Sequence, residues 1–354
     1  EAGKPEGKLI SVAELRRQIP IPRQIKGFIN ASRHALKAVL EGQDDRIIAV
    51  TGPCSIHDRR AARDYAQRLK RLAQSYDSEL LVVMRTYLEK PRTAVGWKGF
   101  ITDPDMTGAE DMQNGVKQGR KVLLEMNAAG LPTAVEFLDP LVAPYLADLV
   151  SYGSIGARTV ESPTHRALAA SLDMPIGFKN TRSGDVQSAV NAVIAAAAPQ
   201  RYLTPDYSGR DVRIRHASGN PDGHVILRGG ENGPNFHPES VNATAELLLE
   251  AGLEGRRVVI DCSHGNSGKV HEGQVTACKS VARQIASGTD VIGGVMIESF
   301  ILAGSQKLVP GETPLSSLRY GRSVTDACVD ISTTKDVFKA LAGAVRARRE
   351  RKSE

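Results

Sequence analysis

Cys54 sits in VTGPCSIHD (50–58), directly behind a Gly-Pro pair that closes the apolar run IIAV, with His57 and Asp58 just beyond. Three jobs suit a thiol there: structural filler, nucleophile or metal ligand. A nucleophile with His57 as its base needs a contact that three residues across a strand-to-loop turn do not guarantee. Two further groups of residues could do chemistry. Arg85, Lys90, Arg92, Arg158, Lys179 and Arg228 are cations, and guanidinium forks suit phosphate and carboxylate. Taken singly, each would be expected to pair with a neighbouring acid on the surface. Cys54, His264 and Glu298, with acidic candidates such as Asp326, form a mixed thiolate, imidazole and carboxylate set. Such a set suits a divalent transition metal better than magnesium, which prefers oxygen alone. No CxxC or HExxH is present, so spacing by itself carries no metal motif, and both histidines would serve equally as cap or hydrogen-bonding residues.

What would gather these groups is the order of the elements. Short, near-continuous apolar runs rich in Val and Ile lie at 47–52, 80–86, 133–138, 154–159, 175–180, 224–230, 257–262 and 293–299. They read as parallel strands buried on both faces. Helical patterns alternate with them, starting RRAARDYAQRLKRLA and NGVKQGRKVLLEMNAA and ending TKDVFKALAGAVRARR. Ser162 and Asp185 stand where N-caps belong, and Gly130, Gly252 and Gly288 where helices should stop. Eight strands alternating with eight helices predict an α/β fold, a (β/α)8 TIM barrel. A doubly wound sheet fits the alternation but gives no reason for the count. Residues 1–45 read as an N-terminal extension with an amphipathic helix at about 30–41, and 46–354 as the catalytic barrel. Residues 201–223 read as a β-hairpin or lid inserted between helix 5 and strand 6. In a barrel, chemistry sits at the C-terminal strand ends. Those ends read, in order, Cys54, Arg85, Glu136, Arg158, Lys179, Arg228, Asp261 with His264, and Glu298, while Lys90 and Arg92 follow strand 2. Six cations at one mouth repel without anionic ligands, so multiply anionic, phosphorylated substrates are expected.

Composition excludes other classes. The chain has 354 residues, 41% hydrophobic and 24% charged, enough for a large core. Its net charge of +6 invites a nucleic-acid reading, but the tail VRARRERKSE supplies half of that excess on what reads as the solvated end of a helix. No aromatic-rich stacking surface accompanies the charge, so no nucleic-acid partner is expected. No apolar run approaches a membrane span, and EAGKPEGK does not have the form of a signal peptide. It opens without Met, so a few residues are expected to precede it. Four cysteines in a chain this long do not read as a disulfide framework, and a reduced, cytoplasmic enzyme is expected.

GPCSIHD (52–58), MRTYLEKPRTAVGWKG (84–99), EFLD (136–139), GARTVES (156–162), GFKN (177–180), ILRGG (226–230), DCSHGNS (261–267), VMIES (295–299) and YGRSVTDAC (320–328) together resemble type I 3-deoxy-D-arabino-heptulosonate 7-phosphate (DAHP) synthase. The likeness runs from about residue 10 to the C-terminus with the motifs in order, and looks like the metal-dependent Iα subgroup regulated by aromatic amino acids. It implies condensation of phosphoenolpyruvate with erythrose 4-phosphate and water to give DAHP and phosphate, the first step of the shikimate pathway. By resemblance, Cys54, His264, Glu298 and Asp326 hold one divalent metal ion (Mn, Fe, Co or Zn). Arg85, Lys90, Glu136, Arg158, Lys179, Arg228 and the backbone of Gly156 and Ala157 receive phosphoenolpyruvate. Arg92 and Thr93, with Asp326, receive erythrose 4-phosphate, and Lys90, Lys179, Arg228 and His264 carry catalytic roles.

The sister enzyme making 3-deoxy-octulosonate 8-phosphate from arabinose 5-phosphate is disfavoured, because it replaces KPRT with a KANRS-type loop. A non-catalytic regulatory barrel would lack a ligand or a lysine, and none is missing. In the resembling subgroup the extension and the insert build subunit contacts and the inhibitor site, which implies a homodimer or homotetramer. EAGKPEGK lacks the acidic pattern of Phe-sensitive enzymes, and the insert looks more like the Trp-sensitive form. Tryptophan or tyrosine is therefore expected ahead of phenylalanine, with Asp173 near the pocket.

Overall fold

The computed structural model describes residue 3 and residues 6–353; residues 1, 2, 4 and 5 and the last residue of the basic tail lie outside that range. The chain begins with helices α1 (Val12–Gln18) and α2 (Arg23–Leu40). Then β1 (Ile47–Gly52), α3 (Arg59–Ser75), β2 (Leu80–Arg85), α4 (Met112–Ala128), β3 (Thr133–Glu136), α5 (Ala143–Leu146), β4 (Tyr152–Ile155), α6 (Pro163–Ser171), β5 (Ile176–Lys179) and α7 (Gln187–Ala197) follow. An antiparallel hairpin of β6 (Gln200–Pro205) and β7 (Val212–Ala217) interrupts the alternation. It resumes with β8 (Gly223–Leu227), α8 (Pro238–Glu250), β9 (Val258–Asp261), α9 (His271–Ala286), β10 (Ile292–Glu298) and α10 (Ile331–Ser353). The eight strands outside the hairpin close a parallel barrel, β10 pairing with β1.

Near-continuous apolar strands are what a sheet covered on both faces requires, and seven of the eight expected runs overlap their strands closely. The fourth is shifted: the strand is Tyr152–Ile155, whereas ART (157–159) belongs to the turn beyond it. The third helical pattern, PLVAPYLADLV, is also shorter than its sequence. Pro144 at the start of α5 and a tight 3-10 turn at Ala147–Leu149 leave four α-helical residues. Ser162 caps α6 by accepting from the His165 N–H, and Asp185 accepts from the Gln187 and Ser188 N–H groups at the start of α7.

The extension differs most from its sequence reading. The expected helix at 30–41 is the second half of an 18-residue helix, and α1 precedes it. Leu36, Val39 and Leu40 of α2 join Ile48, Val50, Val83, Tyr152, Ile226, Val259 and Met296 in the cluster that fills the barrel interior. Thus α2 closes the barrel floor. The basic tail is likewise not simply solvated. Arg346 pairs with Glu79 at 3.0 Å, Arg349 with Asp45 at 2.7 Å and Lys352 with Asp290 at 2.9 Å, while Arg348 is buried against backbone carbonyls of Asp45 and Thr289. Three of the tail's five cations therefore clasp acids beside the floor. No helix among the described residues is long and apolar enough to cross a membrane.

Candidate active site

The strand ends do converge. A cavity of about 410 Å³ at the C-terminal mouth is lined by Arg85, Lys90, Arg92, Thr93, Glu136, Ala157, Arg158, Lys179, Arg228, His264 and Asp326. Gly52 at the end of β1 is required by close approach: a Cβ there would lie 2.4 Å from the Arg85 carbonyl oxygen. That approach lets the Arg85 guanidinium, 1% exposed, donate to the Pro53 and Cys54 carbonyls at 3.1 Å each. Arg85 also lies 3.6 Å from the Tyr87 ring centroid and 3.2 Å from Glu298 Oε1. A guanidinium so pinned presents a fixed edge to an anion without further loss of rotamer freedom.

Donor atoms of Cys54, Glu298 and Asp326 all lie within 4.8 Å of one another. His264 Nε2 is 3.6 Å from Glu298 Oε1, so the imidazole faces the same carboxylate, though it falls outside that tighter trio. Glu298 is 2% exposed, and among the described residues its Oε1 has the Arg85 guanidinium at ion-pair distance but no well-aligned hydrogen bond, which leaves acceptor capacity facing the site. Sulfur, nitrogen and carboxylate oxygen facing one another fit a divalent transition ion. Lys90 donates to Cys54 Sγ at 2.8 Å and lies 3.5 Å from Asp326. Burial, with Glu298 adding to it, pushes the Cys54 thiol up to about 11, so it is no free thiolate nucleophile at neutral pH. Partial burial opposes ionisation of Asp326, yet Lys90 and His264 hold it down at about 2. His57 stands apart from this chemistry. It is buried edge-on to Phe300, and burial lowers it to about 4.

Behind the donors, Asp261 joins two predicted residues. Its Oδ2 accepts from Lys179 Nζ at 2.9 Å and lies 2.9 Å from His264 Nδ1, while its Oδ1 accepts from the Ser263 N–H and hydroxyl at 3.0 and 2.6 Å. Burial alone would raise the carboxyl; Lys179 and His264 outweigh it and hold Asp261 well below the usual range. A carboxylate behind an imidazole fixes which ring nitrogen faces forward. On the far wall, Gly156 again answers to close approach, since a Cβ there would meet Glu136 Oε1 at 1.8 Å. Arg158 donates to Thr93 Oγ1 at 3.0 Å, joining the KPRT loop to the β4 end.

A sequence model of the DAHP synthetase I family matches residues 21–339. The chain is 47% identical over 339 residues to the Trp-sensitive phospho-2-dehydro-3-deoxyheptonate aldolase of Enterobacter agglomerans, covering 96% of this chain and 95% of that protein. It is 44% identical to the enzyme of the same name from Escherichia coli K12, covering 95% of each. The chain belongs to the DAHP synthetase I family. A solved structure of phospho-2-dehydro-3-deoxyheptonate aldolase from Francisella tularensis SCHU S4 superposes with a TM-score of 0.94 at 43% identity, covering 98% of this chain and 99% of that one.

Two cavity-lining cations of this DAHP synthetase I family chain were not singled out by sequence. Arg182 and Lys269 come from loops rather than strand ends, and Lys269 holds a positive φ of 61° unusual for a side-chain residue. The signal available was their place three residues beyond Lys179 and five beyond His264. A second cavity, of about 420 Å³, lies where α5, α6 and the hairpin meet. Its wall is apolar at Ala143, Leu168 and Leu172, and Arg215 reaches it from β7. The Arg16 and Arg215 guanidiniums lie 4.9 and 4.8 Å from the Tyr207 ring centroid, and the Tyr207 carbonyl accepts from the Ala13 N–H. Asp173 lies 3.9 Å from Arg33 and does not line this cavity.

Proposed function

We infer that this chain condenses phosphoenolpyruvate with erythrose 4-phosphate and water to give DAHP and phosphate, the first step of the shikimate pathway. The observation that carries the reading is a single mouth joining the KPRT loop, a ring of cations and a sulfur–oxygen donor trio. Arg85, Lys90, Arg158, Lys179 and Arg228, with Glu136 and the Gly156–Ala157 backbone, hold phosphoenolpyruvate. Arg92, Thr93 and Asp326 hold erythrose 4-phosphate beside it. Carbon 3 of phosphoenolpyruvate attacks the aldehyde carbon, water adds at C2, and C–O cleavage releases phosphate. Cys54, His264, Glu298 and Asp326 would hold a divalent ion (Mn, Fe, Co or Zn), and when bound it supplies Lewis-acid polarisation of an aldehyde oxygen. Lys90, in reach of Asp326, carries the proton for the developing alkoxide. Lys179, oriented by Asp261, and Arg228 neutralise the substrate anion and restrict it to the reactive pose. The test is phosphate release from phosphoenolpyruvate with either sugar phosphate. Turnover with erythrose 4-phosphate is expected, and turnover with arabinose 5-phosphate alone would overturn the reading.

The relatives named Trp-sensitive and the second cavity support tryptophan as a feedback inhibitor, its ring on the apolar wall and its carboxylate on Arg215. Arg215→Ala is expected to raise the tryptophan concentration for half-inhibition about tenfold, the worth of one charge-assisted hydrogen bond. An unchanged inhibition curve would exclude that placement. Leu203 and Ile214, opposite each other on the hairpin and both exposed, support a subunit contact there in a dimer or tetramer, which sedimentation would read. Four free cysteines accord with placement in the cytoplasm.

A further inference from the structure

Three guanidiniums meet on the wall of the active-site cavity away from Cys54. Arg228, buried at the end of β8, donates to the Gly229 carbonyl and has no carboxylate within ion-pair distance among the described residues. Among the described residues, the Arg158 side chain has only the Thr93 hydroxyl. Burial lowers Arg228's hold on its proton, and Arg158 and Arg182 both repel it. Arg182 differs from the other two. It rises from the β5–α7 loop, where the sequence runs NTRSG, and is half-exposed, 3.5 Å from Glu231 of the β8–α8 loop. The Glu231 N–H also donates to the Arg182 carbonyl at 3.0 Å, so the two loops are tied by backbone whatever the side chains do.

We propose that Arg182 is a third phosphate-binding arginine, parked on Glu231 and able to turn onto the phosphate that Arg158 and Arg228 hold. This rests on the DAHP synthase reading above. A solvent-facing ion pair of this kind is weak, worth about 0–1 kcal/mol, so it holds the guanidinium near the mouth without opposing its transfer to a dianion. The phosphate is that of phosphoenolpyruvate before C–O cleavage and the free ion afterwards. Arg182 is therefore a binding residue for one substrate and for the phosphate product, and takes no part in bond making.

The experiment compares wild type, Arg182→Ala and Glu231→Gln by steady-state kinetics, with inorganic phosphate as the probe of the product site. Arg182→Ala is expected to raise KM for phosphoenolpyruvate and the inhibition constant of inorganic phosphate together, by about three- to tenfold, as one lost charge-assisted contact predicts. KM for erythrose 4-phosphate and kcat should stay within twofold. Glu231→Gln, which keeps the loop backbone and frees Arg182, should move both phosphate-linked constants about twofold the other way. Unchanged constants in Arg182→Ala overturn the proposal, and so does a rise confined to the erythrose 4-phosphate KM. Failure of the synthase reading would appear separately, as wild-type protein that forms no DAHP.

Discussion

Cys54→Ala is expected to lose both its metal and its turnover. Elemental analysis of wild-type protein should find about one divalent transition ion per chain, and the variant less than a tenth of that. Its kcat/KM should fall by about a thousandfold, in the range expected when an electrophilic aid worth several kcal/mol is removed. EDTA should reproduce the loss in wild type, and added Mn²⁺ should reverse it there and not in the variant. The physical reason is the trio itself. Without the sulfur, two carboxylates and the imidazole remain, and Glu298, already paired with Arg85, is left in a weaker donor set for a divalent ion. A Cys54→Ala protein that keeps its metal and its rate would remove Cys54 from the donor set. Its melting temperature should drop only slightly, because a small buried thiol is exchanged for a methyl group.

Asp261→Asn is expected to be the second large loss, and it should appear in stability as well as rate. The buried carboxylate neutralises Lys179 and positions His264. Removing its charge leaves a 4%-exposed ammonium without a counter-ion, and breaking a buried pair in this way costs about 3–5 kcal/mol. Urea titration should show a lower midpoint at pH 7. The rate should fall by roughly a hundredfold or more, since both lysine and imidazole lose orientation. The sign with pH follows from the depressed carboxyl. Its stabilisation is fully present above the unfolded value near 3.9 and disappears as pH falls from there toward the lower folded value. Wild type should therefore lose this contribution on acidification, and Asp261→Asn should lack that part of the acid dependence. Equal urea midpoints at pH 7 would show that the ion pair does not stabilise the fold.

The barrel was legible because its strands are buried on both faces, and such strands show as runs of Val and Ile bounded by glycine. Strand β4 was displaced in the sequence reading because YGSI has one aromatic and two small residues, a weak apolar signal beside the IGART that follows it. The site was legible as far as strand ends reach: Cys54, Arg85, Lys179, Arg228, His264 and Glu298 stand where the order of elements put them. Asp261 was visible as a strand-end acid, but its double contact depends on the turn at Ser263–His264, which periodicity does not encode. Arg182 escaped because a loop residue's direction is set by packing rather than by alternation. The tail charge was misread for a related reason: pairing between Asp45 and Arg349 spans nearly the whole chain, and no local pattern announces it.

The pairing of β1 with β10 has a consequence for synthesis. β1 and β2 can zip together early, but the other edge of β1 waits for residues 292–298, and the floor-clasping arginines of α10 come later still. Through most of translation, then, the nascent sheet carries an open, apolar edge of the sort that other chains can add to. The ribosome must release nearly the whole polypeptide before the barrel can shut, so shielding of the half-made sheet has to come from outside the chain or from speed.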